Sequence, residues 1–114
     1  YIQLTERILE YLTNEKPYLN PTFTVHDLCT QLNAPRHHVQ YCLKMILNKS
    51  FTDLKNEFRI QHAKDLMTKK EDRFFSIDGV GKQSGFASSS NFFATFKQVT
   101  GMTPSQWMEK ERPL

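Results

Sequence analysis

Two stretches of this chain carry side chains suited to reading the edges of base pairs. In the first, Arg36, His37, Gln40, Tyr41 and Lys44 alternate with the apolar residues Val39, Cys42, Leu43 and Ile46. A guanidinium can fork to two acceptors of guanine, and a Gln amide can pair with adenine at two atoms. An ammonium suits a phosphate. In the second, Ser88, Ser89, Ser90, Asn91, Phe93, Ala94 and Lys97 surround Phe92, Phe96 and Val99. Small hydroxyls make weak, permissive base contacts, and Phe93 and Ala94 suit a thymine methyl. Ser88 reads first as a helix cap, with an N–H that can also meet a phosphate.

Other chemistries have less support. His26, His37, His38 and His62, together with Cys29 and Cys42, invite a metal reading, and His26 and Cys29 stand three apart. Both cysteines, however, fall on apolar faces, where a thiol behaves as a small hydrophobe. We expect no metal site and no cofactor. No nucleophile elbow, phosphate loop or metalloprotease motif is present, so the chain does not read as an enzyme. Two cysteines without a CxxC pair make no disulfide framework, which suits a reducing, cytoplasmic setting. No apolar run approaches the roughly 18 residues of a membrane span, so no membrane contact is expected.

The elements that must position these residues are helices. The five prolines and four glycines sit almost wholly at boundaries, and strand-like alternation is nearly absent. The pattern predicts an all-α fold of about seven helices. A first helix runs from Ile2 to Asn14, with Ile2, Leu4, Ile8, Leu9, Tyr11 and Leu12 on its apolar side. Thr24 and Asp27 form a capping pair opening a second helix, whose stripe is Val25, Leu28, Cys29 and Leu32. Asn33-Ala34-Pro35 is a tight turn, and a third helix follows to about Leu47. Ser50 and Asp53 open a long helix to about Thr68, with Phe51, Leu54, Phe58, Ala63, Leu66 and Met67 apolar. Arg59 among them is expected to hold the helix to a neighbouring element. Lys69 to Arg73 is a polar connector. Ser76 opens a fifth helix with Ile77, Val80 and Gly81 inward. Gly85-Phe86 turns the chain into a sixth, and Thr103, Pro104 and Gln106 start a last short one with Trp107. Phe51, Phe58, Phe74, Phe86, Phe92, Phe96 and Trp107 are expected in the core. Phe93 adjoins Phe92, so it must point elsewhere, outward or under the connector.

Helix pairs 24–47 and 76–100 therefore form an approximate duplication of helix, turn and helix, with a helix between them. The net charge is +3, and the excess is local: residues 36–70 carry eight basic and three acidic groups. That is the footprint expected where a polyanion is met.

The run Ser76-Ile77, Val80-Gly81, Gly85-Phe86-Ala87-Ser88-Ser89-Ser90-Asn91-Phe92, Phe96-Lys97 and Thr100-Gly101-Met102-Thr103-Pro104-Ser105 resembles the signature of AraC/XylS-type transcription regulators, in their C-terminal DNA-binding domain. Phe51, Leu54, Asn56, Phe58-Arg59-Ile60, Ala63 and Leu66 look like that family's linker helix. The resemblance covers essentially the whole chain. It implies one DNA-binding unit, residues 1–114. Its parts are a first helix-turn-helix subdomain (1–49), a linker helix (50–68) and a second subdomain (69–114). Recognition helices of about 35–47 and 88–100 would enter adjacent major-groove segments of double-stranded promoter DNA. The base-reading positions then fall on Arg36, His37, Gln40 and Tyr41, and on Ser89, Ser90, Asn91 and Ala94. The family often has Arg where Ala94 stands, Ala where Gly81 stands and a hydroxyl cap where Pro35 stands. A linker helix of about 18 residues spans roughly 27 Å. One duplex turn is roughly 34 Å, so bending is favoured. The resemblance also implies RNA polymerase as a partner, and an upstream sensory or dimerisation domain before Tyr1. The isolated domain is expected to be a monomer, because no heptad seam persists. The rival reading is a helical protein–protein interaction module whose outward faces bind a protein.

Overall fold

The computed structural model describes residues 1–69 and 76–111. The expected connector from Lys70 to Arg73, and Phe74 beyond it, lie outside the described residues. Among the described residues seven α-helices follow one another: α1 (Ile2–Glu15), α2 (Val25–Leu32), α3 (Arg36–Tyr41), α4 (Phe51–Thr68), α5 (Ile77–Gln83), α6 (Ser89–Thr100) and α7 (Pro104–Glu111). Among the described residues there is no strand. The chain forms two compact units, Tyr1–Lys55 and Asn56–Leu114, and α4 contributes to both.

Local chemistry decides where each helix begins. At α2, Thr24 Oγ1 accepts from the Asp27 N–H at 3.2 Å, and Asp27 Oδ2 accepts from the Thr24 N–H at 2.9 Å. At α7, Thr103 and Gln106 form the same reciprocal pair, at 3.0 and 3.2 Å. The Ser50, Ser76 and Ser88 hydroxyls each accept from the N–H three residues on, at 3.0, 2.9 and 3.1 Å. Each bond satisfies a backbone donor that a helix leaves orphaned at its start.

The first unit packs α1 against α2 and against the turn after α3. Ile8, Leu12, Leu28, Leu32, Val39, Cys42, Leu43 and Leu54 are buried there, with Tyr18 and Phe23 from the connecting segment. Thr5 shares the inward register with Ile8 and Leu12, whereas Ile2 lies off that line and is exposed, against expectation. Arg7, unremarked in the sequence, donates from Nη2 to the Leu32 carbonyl at 2.7 Å and so closes the end of α2.

The third helix departs from its expected course. After Tyr41 the chain widens into a π turn, Cys42–Ile46. Here the Leu47 N–H bonds back five residues, to Cys42 O, at 3.0 Å. That extra residue rotates the end of the helix. Cys42 and Leu43 stay buried, but Ile46, expected inward, is 42% exposed.

Two sets of residues on α4 serve the two units. Leu54 is buried in the first. Ile60, Ala63 and Met67 join Val80, Phe86, Phe92, Phe96 and Trp107 in the core of the second. Arg59 is buried with them and holds its guanidinium 5.7 Å from the centre of the Phe86 ring. Burial lowers its pKa from the ordinary arginine value. Val99, expected inward on α6, is exposed.

The second unit turns on a close approach. A Cβ built on Gly81 would lie 2.7 Å from two carbons of the Phe92 ring. Gly81→Ala would gain about 1 kcal/mol of helix propensity. Overpacking a fixed ring costs about 1–3 kcal/mol or more. The variant should therefore lose up to about 2 kcal/mol net in a urea melt; raised stability would show that Phe92 is free to shift. The Ser84 hydroxyl in the same unit is fully buried, with no partner among the described residues. Ser84→Ala should raise stability by about 1 kcal/mol, because an unmet buried hydroxyl costs roughly that. A loss of similar size would show that the hydroxyl is bonded.

Candidate nucleic-acid interface

Each helix pair closes its turn in the same way. In the first, Asn33 takes a left-handed backbone, φ +50°, and the Ala34 N–H bonds to Cys29 O at 3.1 Å. In the second, Gly85 is left-handed, φ +99°, and the Phe86 N–H bonds to Gly81 O at 3.0 Å. Asn and Gly are the residues that reach this conformation at least cost.

The second helix of each pair then presents a matching face. Val39 is the fourth residue of α3 and Phe92 the fourth of α6, and both are fully buried. With those anchors inward, the first, second, fifth and sixth positions turn outward, and on the longer α6 the ninth as well. In the first unit they are Arg36, His37, Gln40 and Tyr41, all exposed, and Lys44 is exposed in the π turn beyond α3. In the second they are Ser89, half-exposed, and Ser90, Phe93, Ala94 and Lys97, all exposed. Asn91, the third residue of α6, is also exposed, whereas its counterpart His38 is half-buried. Arg36, His37, Gln40 and Tyr41 thus share one outer face of α3, and Ser89, Ser90, Phe93, Ala94 and Lys97 share one of α6, whereas Ser88 caps α6 and Asn91 stands beside that face.

Several of these groups are already engaged. The Tyr41 ring packs against Tyr1 with centroids 4.4 Å apart. Tyr1 also meets the edge of His38 at 5.4 Å, and His38 meets His37 at 4.4 Å. The Tyr1 carbonyl is fixed by the Thr5 hydroxyl at 2.8 Å and approached by Cys42 Sγ at 3.4 Å. Tyr1 was missed because its only sequence signal is an aromatic ring 40 residues from its neighbour. On α6, Ser88 is committed as cap, and Ser89 Oγ donates to Asp78 Oδ1 at 3.0 Å. Phe93 stands 37% exposed, with its ring 5.8 Å from Phe92. The alternative expectation, that it packs under the connector near Phe74-Phe75, falls outside the described residues.

Among the described residues, no three His, Cys, Asp or Glu side chains group to hold a metal. His26 is exposed while Cys29 is buried. Burial pushes the Cys29 thiol above its ordinary range, against the pull of the Arg36 charge. No helix among the described residues is long and apolar enough to cross a membrane.

A family model described as a helix-turn-helix domain matches residues 28–110, most of the chain. The chain belongs to the AraC-type helix-turn-helix family of transcription regulators. An AraC-type relative, the HTH-type transcriptional activator RhaR of Salmonella schwarzengrund, is 28% identical over 106 residues, covering 91% of this chain and 35% of RhaR. The TCP pilus virulence regulatory protein of Vibrio cholerae is 34% identical over 89 residues, covering 72% of this chain and 28% of that protein. The chain thus spans about a third of such relatives. Solved structures share the fold. The C-terminal domain of AraT, a response regulator from Geobacillus stearothermophilus, aligns with a TM-score of 0.82 at 20% identity, covering 96% of this chain and 87% of that one. The DNA-binding domain of the global transcriptional factor AdpA, solved in complex with a target DNA, aligns with a TM-score of 0.78 at 17% identity, covering 95% and 92%.

The raised Cys29 pKa has a defined consequence. The folded state gains from the neutral thiol fully below the unfolded pKa, and loses that gain as pH rises through the folded value. Both cysteines are buried, so at pH 8 the folded chain should alkylate with iodoacetamide more slowly than the urea-unfolded chain, at Cys29 also because its thiol is held neutral. Equal rates would show that the thiols are accessible.

Proposed function

We propose that this chain is the sequence-specific double-stranded DNA-binding domain of a transcription regulator, with α3 and α6 each entering the major groove. The observation that carries the reading is the matched outward face of the two helices. The same four positions point out on both, and an exposed lysine follows each set, Lys44 in the π turn after α3 and Lys97 on α6. The residues proposed to meet DNA are Arg36, His37, Gln40, Tyr41 and Lys44, and Ser88, Ser89, Ser90, Asn91, Phe93, Ala94 and Lys97. The AdpA domain described in complex with its target DNA supports the reading. The domain acts by positioning and reading rather than by catalysis. Promoter DNA, RNA polymerase and an upstream sensory or dimerisation domain are the partners of such a regulator, and the cytoplasm is where it meets them.

The two faces should contribute unequally. Arg36 and Gln40 offer directional groups, whose two-atom base contacts discriminate by about 1–3 kcal/mol each. Lone serines and Ala94 give less. Gln40→Ala or Arg36→Ala should therefore relax sequence preference more than Ser90→Ala. Lys44→Ala and Lys97→Ala should weaken all sequences alike and flatten the salt dependence, because phosphates carry no base identity. Binding-site selection and salt titration with each variant check this. If Asn91→Ala erases preference across half the site while Arg36→Ala and Gln40→Ala leave it intact, the dominant reader is α6. Binding that ignores salt would favour a protein partner instead.

A further inference from the structure

We propose that Asp78 sets the base preference of α6 by fixing the direction of the Ser89 hydroxyl. This rests on the reading of α6 as a groove-entering helix. Ser89 is the first residue of α6, and Asp78 lies in the first turn of α5. Ser89 Oγ stands 3.0 Å from Asp78 Oδ1. An ionised carboxylate only accepts, so the bond has one polarity: Ser89 donates. A serine hydroxyl owns a single donor and two lone pairs. With the donor committed to Asp78, Ser89 faces outward as an acceptor only.

A free serine hydroxyl rotates to suit any partner, which is why serine is a permissive reader. A serine reduced to an acceptor is selective. In the major groove, adenine N6 and cytosine N4 carry donors, whereas guanine O6 and N7 and thymine O4 are acceptors. Ser89 therefore welcomes adenine or cytosine on the strand it faces, and opposes guanine or thymine lone pair to lone pair. Asp78 is a positioning residue in this scheme. It is exposed and need not touch a base. Its carboxylate also repels phosphates, an effect that is the same for every sequence.

The test is binding-site selection on the 114-residue chain with Ser89→Ala, Ser89→Thr and Asp78→Asn. Asp78→Asn keeps the shape of the side chain, and Ser76 caps α5 independently of it, so the fold is retained; thermal melts check this. The unaltered chain should show one position of the site where adenine and cytosine are favoured about fivefold, the size of a single base bond. Ser89→Thr, which keeps the hydroxyl, should keep that preference. Ser89→Ala should lose it because the favoured sites weaken. Asp78→Asn should lose it because the disfavoured sites strengthen, since an amide can also donate and so releases the hydroxyl. In a second measurement, purine in place of adenine at that position should weaken the unaltered chain about fivefold and leave Ser89→Ala unmoved. An Asp78→Asn selection with the same preference and uniformly tighter binding would overturn the proposal and leave Asp78 as a charge alone. A Ser89→Ala selection unchanged at every position would overturn it too, while the reading of α6 could still stand on Ser90 and Asn91. Failure of that reading looks different: no base preference then responds to any substitution on α6.

Discussion

The orientation of α6 depends on one close approach, the Phe92 ring against the bare α-carbon of Gly81. The ring is fully buried, 5.2 Å from Phe86 and 5.8 Å from Phe96 between centroids. It cannot rotate away without opening the core of the second unit. Once it is placed, the helical period decides everything else on α6. Ser90, Phe93, Ala94 and Lys97 have no inward option, because the inward sector is taken by Phe92 and Phe96. Val39 does the same for α3 with a smaller side chain, sealed at zero exposure. The polar faces are thus consequences of apolar packing behind them.

The two faces differ in how they are held ready. On α3 the preparation is aromatic. Tyr41 rests on Tyr1, so part of its rotamer freedom is lost on folding rather than on binding. On α6 it is polar, through the caps and the Ser89–Asp78 bond. The electrostatic setting differs as well. The basic excess lies in residues 36–70, which include α3, whereas the stretch from 71 onward carries five charges of each sign. One face combines attraction with long directional groups, and the other combines tight placement with short ones.

Much of this was legible in the sequence, and the reasons are local. Thr24, Ser76, Ser88 and Thr103 announce helix starts because a short polar side chain satisfies an orphan donor only there. Asn33, Gly85 and Gly101 announce turns because their left-handed backbone excludes most residues. The outward faces followed from the period once Val39 and Phe92 were taken as inward. The features that escaped depend on partners distant in sequence or on a broken period. The π turn at Cys42–Ile46 breaks the period and exposes Ile46. Arg7 on the Leu32 carbonyl joins residues 25 apart, and Tyr1 on Tyr41 joins residues 40 apart. Ser89 and Asp78 are both ordinary surface residues until the turn between α5 and α6 brings them within 3.0 Å.

The central claim is that the outer faces of α3 and α6 together meet DNA. The most direct measurement is an NMR titration of the 15N-labelled chain with a duplex selected from a random pool. The account predicts that amide shifts concentrate in residues 36–44 and 88–97. Amides along the groove of Arg7, Tyr11, Asn14 and Gln31 in the first unit should stay in place. Shifts concentrated along that groove, or none on either second helix at saturating duplex, would contradict it.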